Sequence, residues 1–300
     1  MSLSSAAQLA DNRRGILCMA GAMACFIIND AFVKLVSSTV PIGQTIFIRS
    51  VLVTLIVLAV VRAVDATGRI GEAFEPRVAL RGVIDGSATM LYLVSLVHLP
   101  LANATAINLA APLFMTLFAV LFLAEKVGAS RWLAILGGFT GVILVIQPRA
   151  EGFNIYALVC LSATLLHAVR DLMTRRIASG IPSILITLAS ALAASVLSGI
   201  FVLAQGWQAF GAFEALLMTC SAFFVAGGFY LIIASMRQGE IAVISPFRYS
   251  GLIVALILGY FVWGDVPNTL AWCGITLLIG SGIWVLQGER SRHQAATGPG

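Results

Sequence analysis

Apolar runs of about twenty residues fill the chain from Gly15 to Gln287, and they constrain the fold more than any other feature. The hydrocarbon core of a bilayer, about 30 Å thick, takes roughly that many apolar residues as one helix. Ten runs are readable, at 15–36, 42–63, 79–98, 101–123, 131–147, 155–174, 182–204, 212–235, 241–262 and 270–287. Joints as short as HLPLAN (98–103) and RQGE (237–240) force antiparallel neighbours. Charged residues make up only 10% of the chain, against about 25% in soluble domains. So few charges cannot clothe this much apolar surface in water. The expected class is an all-α membrane protein, with the lipid bilayer as its surroundings and no cleavable signal peptide.

The basic excess, 18 Lys and Arg against 13 Asp and Glu, does not point to nucleic acid, because the basic residues are scattered between the runs and form no patch. It points to orientation. With the N-terminus in the cytoplasm, Arg13, Arg14, Arg62, Arg69, Arg77, Lys126, Arg131, Arg175, Arg176, Arg237, Arg290 and Arg292 all fall on the inner side. The loops of the other side then carry only Arg149. This positive-inside bias predicts ten spans with both termini cytoplasmic, in the inner membrane.

The chain also repeats itself. Shifted by about 140 residues, AEKVGASRWLAILGGFTGVILVIQ (124–147) falls on GDVPNTLAWCGITLLIGSGIWVLQ (264–287). Glu125 then meets Asp265, Trp132 meets Trp272 and Gln147 meets Gln287. IINDAFVKLV (27–36) echoes VRDLMTRRI (169–177), matching Asp30 to Asp171 and Lys34 to Arg175. Five spans per copy is odd, so the second copy enters the membrane from the opposite face. The expected organisation is a tail (1–14), a first repeat (15–150), an inverted second repeat (151–288) and a tail (289–300). Inverted repeats are a recurrent plan of secondary transporters, with the substrate site between the copies.

FIRS (47–50), LANATAINLAAPLF (101–114), LAEKVG (123–128) and SPFRYSGLIVALILGYFVWGDVP (245–267) carry a resemblance to the drug/metabolite transporter superfamily, and within it to the ten-helix EamA type. The resemblance covers essentially the whole membrane portion. It implies a basket of helices in which the first four spans of each half line a central cavity and the fifth and tenth pack outside. It also implies small-molecule substrates. The chain resembles bacterial exporters of amino acids and related metabolites, and the SPFRYS segment is also similar to carriers of flavins and methyl donors such as S-adenosylmethionine; a nucleoside-like compound is a further alternative.

Ionisable and amide groups inside spans are costly unless paired or wet, so each is a candidate for function. Asp30 and Lys34, spaced i,i+4, suit either an ion pair fixing the helix end or charges at a cavity rim. Arg49, two turns into its span, can pair with Asp30 or grip a carboxylate through its planar fork. Asp85, in GVIDG, has Arg81 one turn away and is either neutralised by it or a protonatable group. His98, Asn103 and Asn108 cluster around the turn between the third and fourth spans, and Asn108, the deeper one, is a better candidate for a substrate contact than His98. His167 is a candidate proton relay, and it precedes Arg170 and Asp171. Arg248 and Tyr249 follow Pro246, which removes a backbone donor and frees carbonyls nearby, as Pro112 does in the fourth span. Arg248 suits an anionic substrate group, or an ion pair with Asp85 or Asp171 at an inner gate. Tyr92, Phe114 and Tyr230 offer aromatic walls. The expected substrate-binding set is thus Arg49, Asn108, Arg248, Tyr249, Tyr92 and Tyr230. The expected gating or coupling set is Asp30, Lys34, Asp85, Asp171, Arg175 and His167. Gly137 and Gly141 form a GxxxG face suited to helix packing or to a homodimer contact, leaving monomer and dimer both open.

An enzyme is not expected, because HExxH, GxSxG and paired membrane aspartates are all missing. The five cysteines sit singly in apolar runs and form no CxxC pair, so neither metal nor cofactor is expected. The absence of a Walker motif argues against a nucleotide-driven pump, and no filter-like loop suggests a channel. The expected function is a secondary transporter of small metabolites working by alternating access.

Overall fold

The structure is a computed structural model that describes residues 3–123, 129–147, 154–174, 177, 180–238 and 241–296. Twelve α-helical segments account for most of it: α1 (Leu3–Val36), α2 (Ile42–Ala63), α3 (Pro76–His98), α4 (Leu101–Asn108), α5 (Ala111–Leu123), α6 (Ala129–Ile146), α7 (Tyr156–Thr174), α8 (Ser183–Gln205), α9 (Ala212–Gln238), α10 (Ile241–Ile244), α11 (Ser250–Leu258) and α12 (Thr269–Ala296). Eight stretches are long and apolar enough to cross a membrane, lying on α1, α2, α3, residues 101–118, α7, α8, α9 and residues 246–263. The apolar parts of α6 and α12, Trp132–Ile146 and Thr269–Trp284, are shorter. The outward faces are greasy, with Leu203 85% and Phe261 78% exposed, a surface suited to lipid rather than water.

Two helices differ from the expected tails. α1 begins at Leu3 and α12 runs on to Ala296. No proline interrupts either extension, and only Gly288 weakens the second, so the i→i−4 ladder continues past the apolar stretch.

Two helix breaks fall where proline predicts them. A turn at 109–110 separates α4 from α5, just before Pro112, which has no N–H for the carbonyl of Asn108 and crowds it. In the other half, Pro246 sits in a 3₁₀ turn (Ser245–Tyr249) between α10 and α11. After α11 a π-helical turn (Gly259–Trp263) closes on Gly264, whose φ of 71° lies in the left-handed region that glycine enters without strain. Asp265 N–H then bonds back to the Gly259 carbonyl at 3.0 Å, and this fixes the direction of the Asp265 side chain.

The packing pairs the two halves of the chain. α1 lies along α9, α2 along α8, α3 along α7 and α8, and α6 along α12. Small residues let α3 and α8 approach closely: a Cβ on Gly82 would lie 2.9 Å from the Ala189 carbonyl carbon, and one on Gly86 2.9 Å from Ala194 N. The GxxxG face of α6 is likewise used within the chain, since a Cβ on Gly141 would lie 2.7 Å from the Gly274 carbonyl of α12.

Candidate functional site

A cavity of about 500 Å³ lies between the halves, within the size range of small-molecule sites. Its walls come from α1, α2, α3, α4, α5, α7, α8, α9, the 3₁₀ turn and Gly251 of α11. No described residue of α6 or α12 lines it. Two polar clusters face it, with a histidine between them.

The first cluster centres on Asp30 of α1. Its Oδ2 accepts a hydrogen bond from Tyr92 Oη at 2.8 Å and its Oδ1 one from Asn29 Nδ2 at 2.9 Å. Asn29 Oδ1 in turn accepts from Arg49 Nη1 at 3.3 Å and from Ser221 Oγ at 2.6 Å. Asp30 and Arg49 are therefore coupled through Asn29 and make no direct ion pair. Arg49 Nε and Ser50 Oγ are buried without a hydrogen-bond partner.

The second cluster centres on Asp85 of α3. Arg170 Nη1 lies 2.6 Å from Asp85 Oδ1, and Arg81 Nη1 lies 3.0 Å from Oδ2. Arg170 also holds Asp171 Oδ1, from Nη2 at 2.8 Å. Arg81 also donates to Thr174 Oγ1 at 3.2 Å and to the Ser190 hydroxyl. The expected Arg81–Asp85 pair is present, but one carboxylate serves two guanidiniums. The second comes from α7 in the other half of the chain, beyond the reach of any local spacing rule. Between the clusters His167 Nδ1 lies 2.9 Å from Asn108 Oδ1, so Asn108 fixes the imidazole while both line the cavity.

Several expectations are corrected. Lys34 does not pair with Asp30. Its ammonium donates to the Leu99 carbonyl, lies 3.9 Å from Asp265 Oδ2 and sits 5.1 Å from the centre of the Trp263 ring. Asp30 instead bonds Tyr92 and Asn29, and the countercharge near Lys34 comes from the second half of the chain. Arg248 makes no ion pair with Asp85 or Asp171; Arg81 and Arg170 take both oxygens of Asp85, and Arg170 takes Oδ1 of Asp171. Tyr230 is 73% exposed on the outer face of α9 and lies away from the cavity. Phe114 packs edge-on against Phe139 at 4.8 Å, also outside the cavity wall. Tyr249 does line the cavity, but its hydroxyl is buried without a partner and fills the notch above Gly282 of α12. It acts there as a peg that holds the 3₁₀ turn, with Arg248 beside it facing the cavity. Arg175, Glu125, Lys126, Arg149 and Arg176 lie outside the described residues, as do the side chains of Arg131, Arg237, Gln287, Arg290 and Arg292.

One end of the bundle is tied across the halves by polar contacts that the sequence does not reveal. Gly43 N donates to Gln205 Oε1 at 3.0 Å. Gln44 exchanges two hydrogen bonds with the backbone of Gln208, at 2.8 and 2.9 Å. Gln147 and Asn268 bond reciprocally through their amides, at 2.8 and 3.0 Å. Asn154 Nδ2 donates to the His98 carbonyl at 2.6 Å, and the His98 ring stacks on Tyr156 at 3.6 Å. With Lys34–Asp265, these contacts gather at the end where α1 finishes. At the other end, among the described residues, Arg69 Nη2 donates to the Gly180 carbonyl at 2.5 Å and Ser235 Oγ to the Gly15 carbonyl at 2.7 Å. A pattern of glutamines and asparagines at helix ends was the available signal, but amides at helix ends are common and carry no partner information.

Known proteins resemble this chain over most of its length. The model of the EamA-like transporter family matches twice, over residues 13–147 and 154–287. The pseudopaline exporter CntI of Pseudomonas aeruginosa is 25% identical over 273 residues, 89% of this chain and 94% of that protein. The S-adenosylmethionine uptake transporter of Rickettsia conorii is 24% identical over 70% of this chain and 71% of its own length. The riboflavin transporter of Rhizobium johnstonii is 26% identical over 71% of each. A protein solved by crystallography shares the fold with a TM-score of 0.63 at 17% identity, covering 93% of this chain and 97% of that one. The apolar helices and these relatives mark a multi-pass bacterial inner-membrane protein. The chain belongs to the EamA-like transporter family of the drug/metabolite transporter superfamily.

Proposed function

We propose that this transporter is a secondary carrier that moves small metabolites across the inner membrane by alternating access, with the cavity as its substrate site. The observation that carries the reading is the cavity itself, lying between the two family matches and lined by polar clusters from both. In this reading the chain has ten spans in two inverted five-helix repeats, 15–150 and 151–288, with both termini cytoplasmic. The exchange pattern of the packing supports it. Under a two-fold operation that swaps the repeats, α1 on α9 becomes α7 on α3, while α2 on α8 and α6 on α12 map onto themselves; all four contacts are present. The breaks at Pro112 and Pro246 fall in corresponding spans and support it too.

With that orientation, the end tied by Lys34–Asp265, Gln44–Gln208 and Gln147–Asn268 is the periplasmic end. The lining residues Arg81, Asp171 and Arg248 lie towards the cytoplasmic end. The arrangement corresponds to a state closed outward, and transport requires those ties to part. Arg49, Asn108, Tyr92 and Arg248 are the substrate-facing set. Asp30, Asp85, Asp171 and His167, with Lys34 at the closed end, form the gating and coupling set. Amino acids and related compounds, moved outward, are the first substrate class to test; a flavin, S-adenosylmethionine or a nucleoside-like compound is the alternative, favoured by the named relatives.

The test is uptake by purified protein in liposomes. A carrier gives a rate that saturates with substrate concentration. A rate that stays linear, with unitary current steps in planar bilayers, refutes the carrier reading in favour of a channel.

A further inference from the structure

The charges lining the cavity do not balance. Four arginines face it, Arg49, Arg81, Arg170 and Arg248, against three aspartates, Asp30, Asp85 and Asp171. Three of the arginines are accounted for. Arg81 and Arg170 share Asp85, and Arg170 also holds Asp171. Arg49 is joined to Asp30 through Asn29. Arg248 is left over: it makes no hydrogen bond or ion pair with any described residue. It is partly buried in the 3₁₀ turn after Pro246, and the Tyr249 peg above Gly282 holds that turn in place. An uncompensated guanidinium within a span is costly, whereas a guanidinium is the side chain best shaped to take a carboxylate or phosphate bidentately.

We propose, resting on the reading of the cavity as the substrate site, that the transported compound carries a carboxylate or phosphate group and that Arg248 binds that group. The group supplies the negative charge that the cavity lacks. The guanidinium, without a partner among the described residues, becomes paired when substrate is bound, so substrate lowers the cost of holding this charge within the span. Compounds with neither group leave Arg248 without that partner and are rejected.

The experiment uses proteoliposomes loaded with the small-molecule fraction of a bacterial cell extract. Compounds lost from the lumen are identified by mass spectrometry against protein-free liposomes. The wild type, Arg248→Gln, Arg248→Lys and, as an outward-facing control, Tyr230→Ala are compared, each shown to be monodisperse. The expected result is loss only of compounds bearing a carboxylate or phosphate, and their identities tell the two groups apart. Arg248→Gln is expected to slow that loss about ten- to a hundredfold, the size of a lost charge-assisted bond. Arg248→Lys retains more than Arg248→Gln, and Tyr230→Ala matches wild type. Protein-dependent loss confined to compounds with neither a carboxylate nor a phosphate overturns the inference while leaving the transport reading standing. So does loss of anions at equal rates in wild type and a monodisperse Arg248→Gln. If no compound is lost, the transport reading falls and the inference with it.

Discussion

Replacing Asp85 by asparagine tests the reading of the second cluster as a single electrostatic unit. The two carboxylate oxygens of Asp85 face different guanidiniums, Oδ1 towards Arg170 at 2.6 Å and Oδ2 towards Arg81 at 3.0 Å. An asparagine has one acceptor, so one guanidinium must face an NH2 group, donor against donor. Removing one member of a buried ion pair costs about 3–5 kcal/mol, mostly from the charge left behind. Both arginines keep second partners here, Asp171 for Arg170 and Ser190 and Thr174 for Arg81. The lower end, about 3 kcal/mol, is therefore expected. At roughly 2–4 °C per kcal/mol for a large domain, the melting temperature in detergent falls by roughly 6–12 °C. Arg81→Gln combined with Asp85→Asn removes the orphaned charge as well, and the double variant recovers at least about 1 kcal/mol relative to the sum of the singles. Strict additivity, within about 0.5 kcal/mol, refutes the claim that Asp85 serves both arginines.

Three further outcomes follow from named contacts. Tyr92→Phe leaves Asp30 Oδ2 without its hydroxyl donor and is expected to destabilise the protein by about 1–3 kcal/mol in thermal melts; an unchanged melting temperature contradicts the contact. Gly141→Ala drives a methyl against the Gly274 carbonyl and Leu278 N, both backbone atoms that cannot rotate away, so a loss of about 1–3 kcal/mol is expected, whereas a lipid-facing or intermolecular glycine face predicts none. In a background lacking the native cysteines, Gly43→Cys with Gln205→Cys is expected to cross-link on oxidation and to stop transport until reduced, because these positions touch at the tied end. Cross-linking that leaves transport running sinks the gating role of that end.

The helical frame was legible in the sequence because burial in lipid requires long apolar runs, and proline marks its own breaks at Pro112 and Pro246. What was not legible is where a side chain points once its helix is greasy on every side. Tyr230 and Tyr92 sit in equally apolar surroundings in the sequence, yet one faces outward and the other bonds Asp30. Pairing failed for the same reason. The i,i+4 rule joined Lys34 to Asp30, but tertiary packing brought Asp265 to Lys34 and Arg170 to Asp85. The charged positions themselves are legible, since any charge within a span stands out. Their partners depended on which helices touch, and neither hydropathy nor the repeat offset encodes that. Arg248 shows the converse case, where the expected inner-gate partners exist but are already occupied.

Counterflow tests the central claim most directly. Liposomes containing the purified protein are loaded with unlabelled substrate at high concentration and placed in trace labelled substrate. A carrier whose single cavity opens to one side at a time returns from each outward trip with labelled substrate, so the label transiently accumulates above its equilibrium level. The account predicts this overshoot, and predicts that it disappears when the Gly43–Gln205 end is cross-linked. Labelled substrate that only relaxes monotonically to equilibrium, with the same time course whether or not the lumen is preloaded, contradicts alternating access through this cavity.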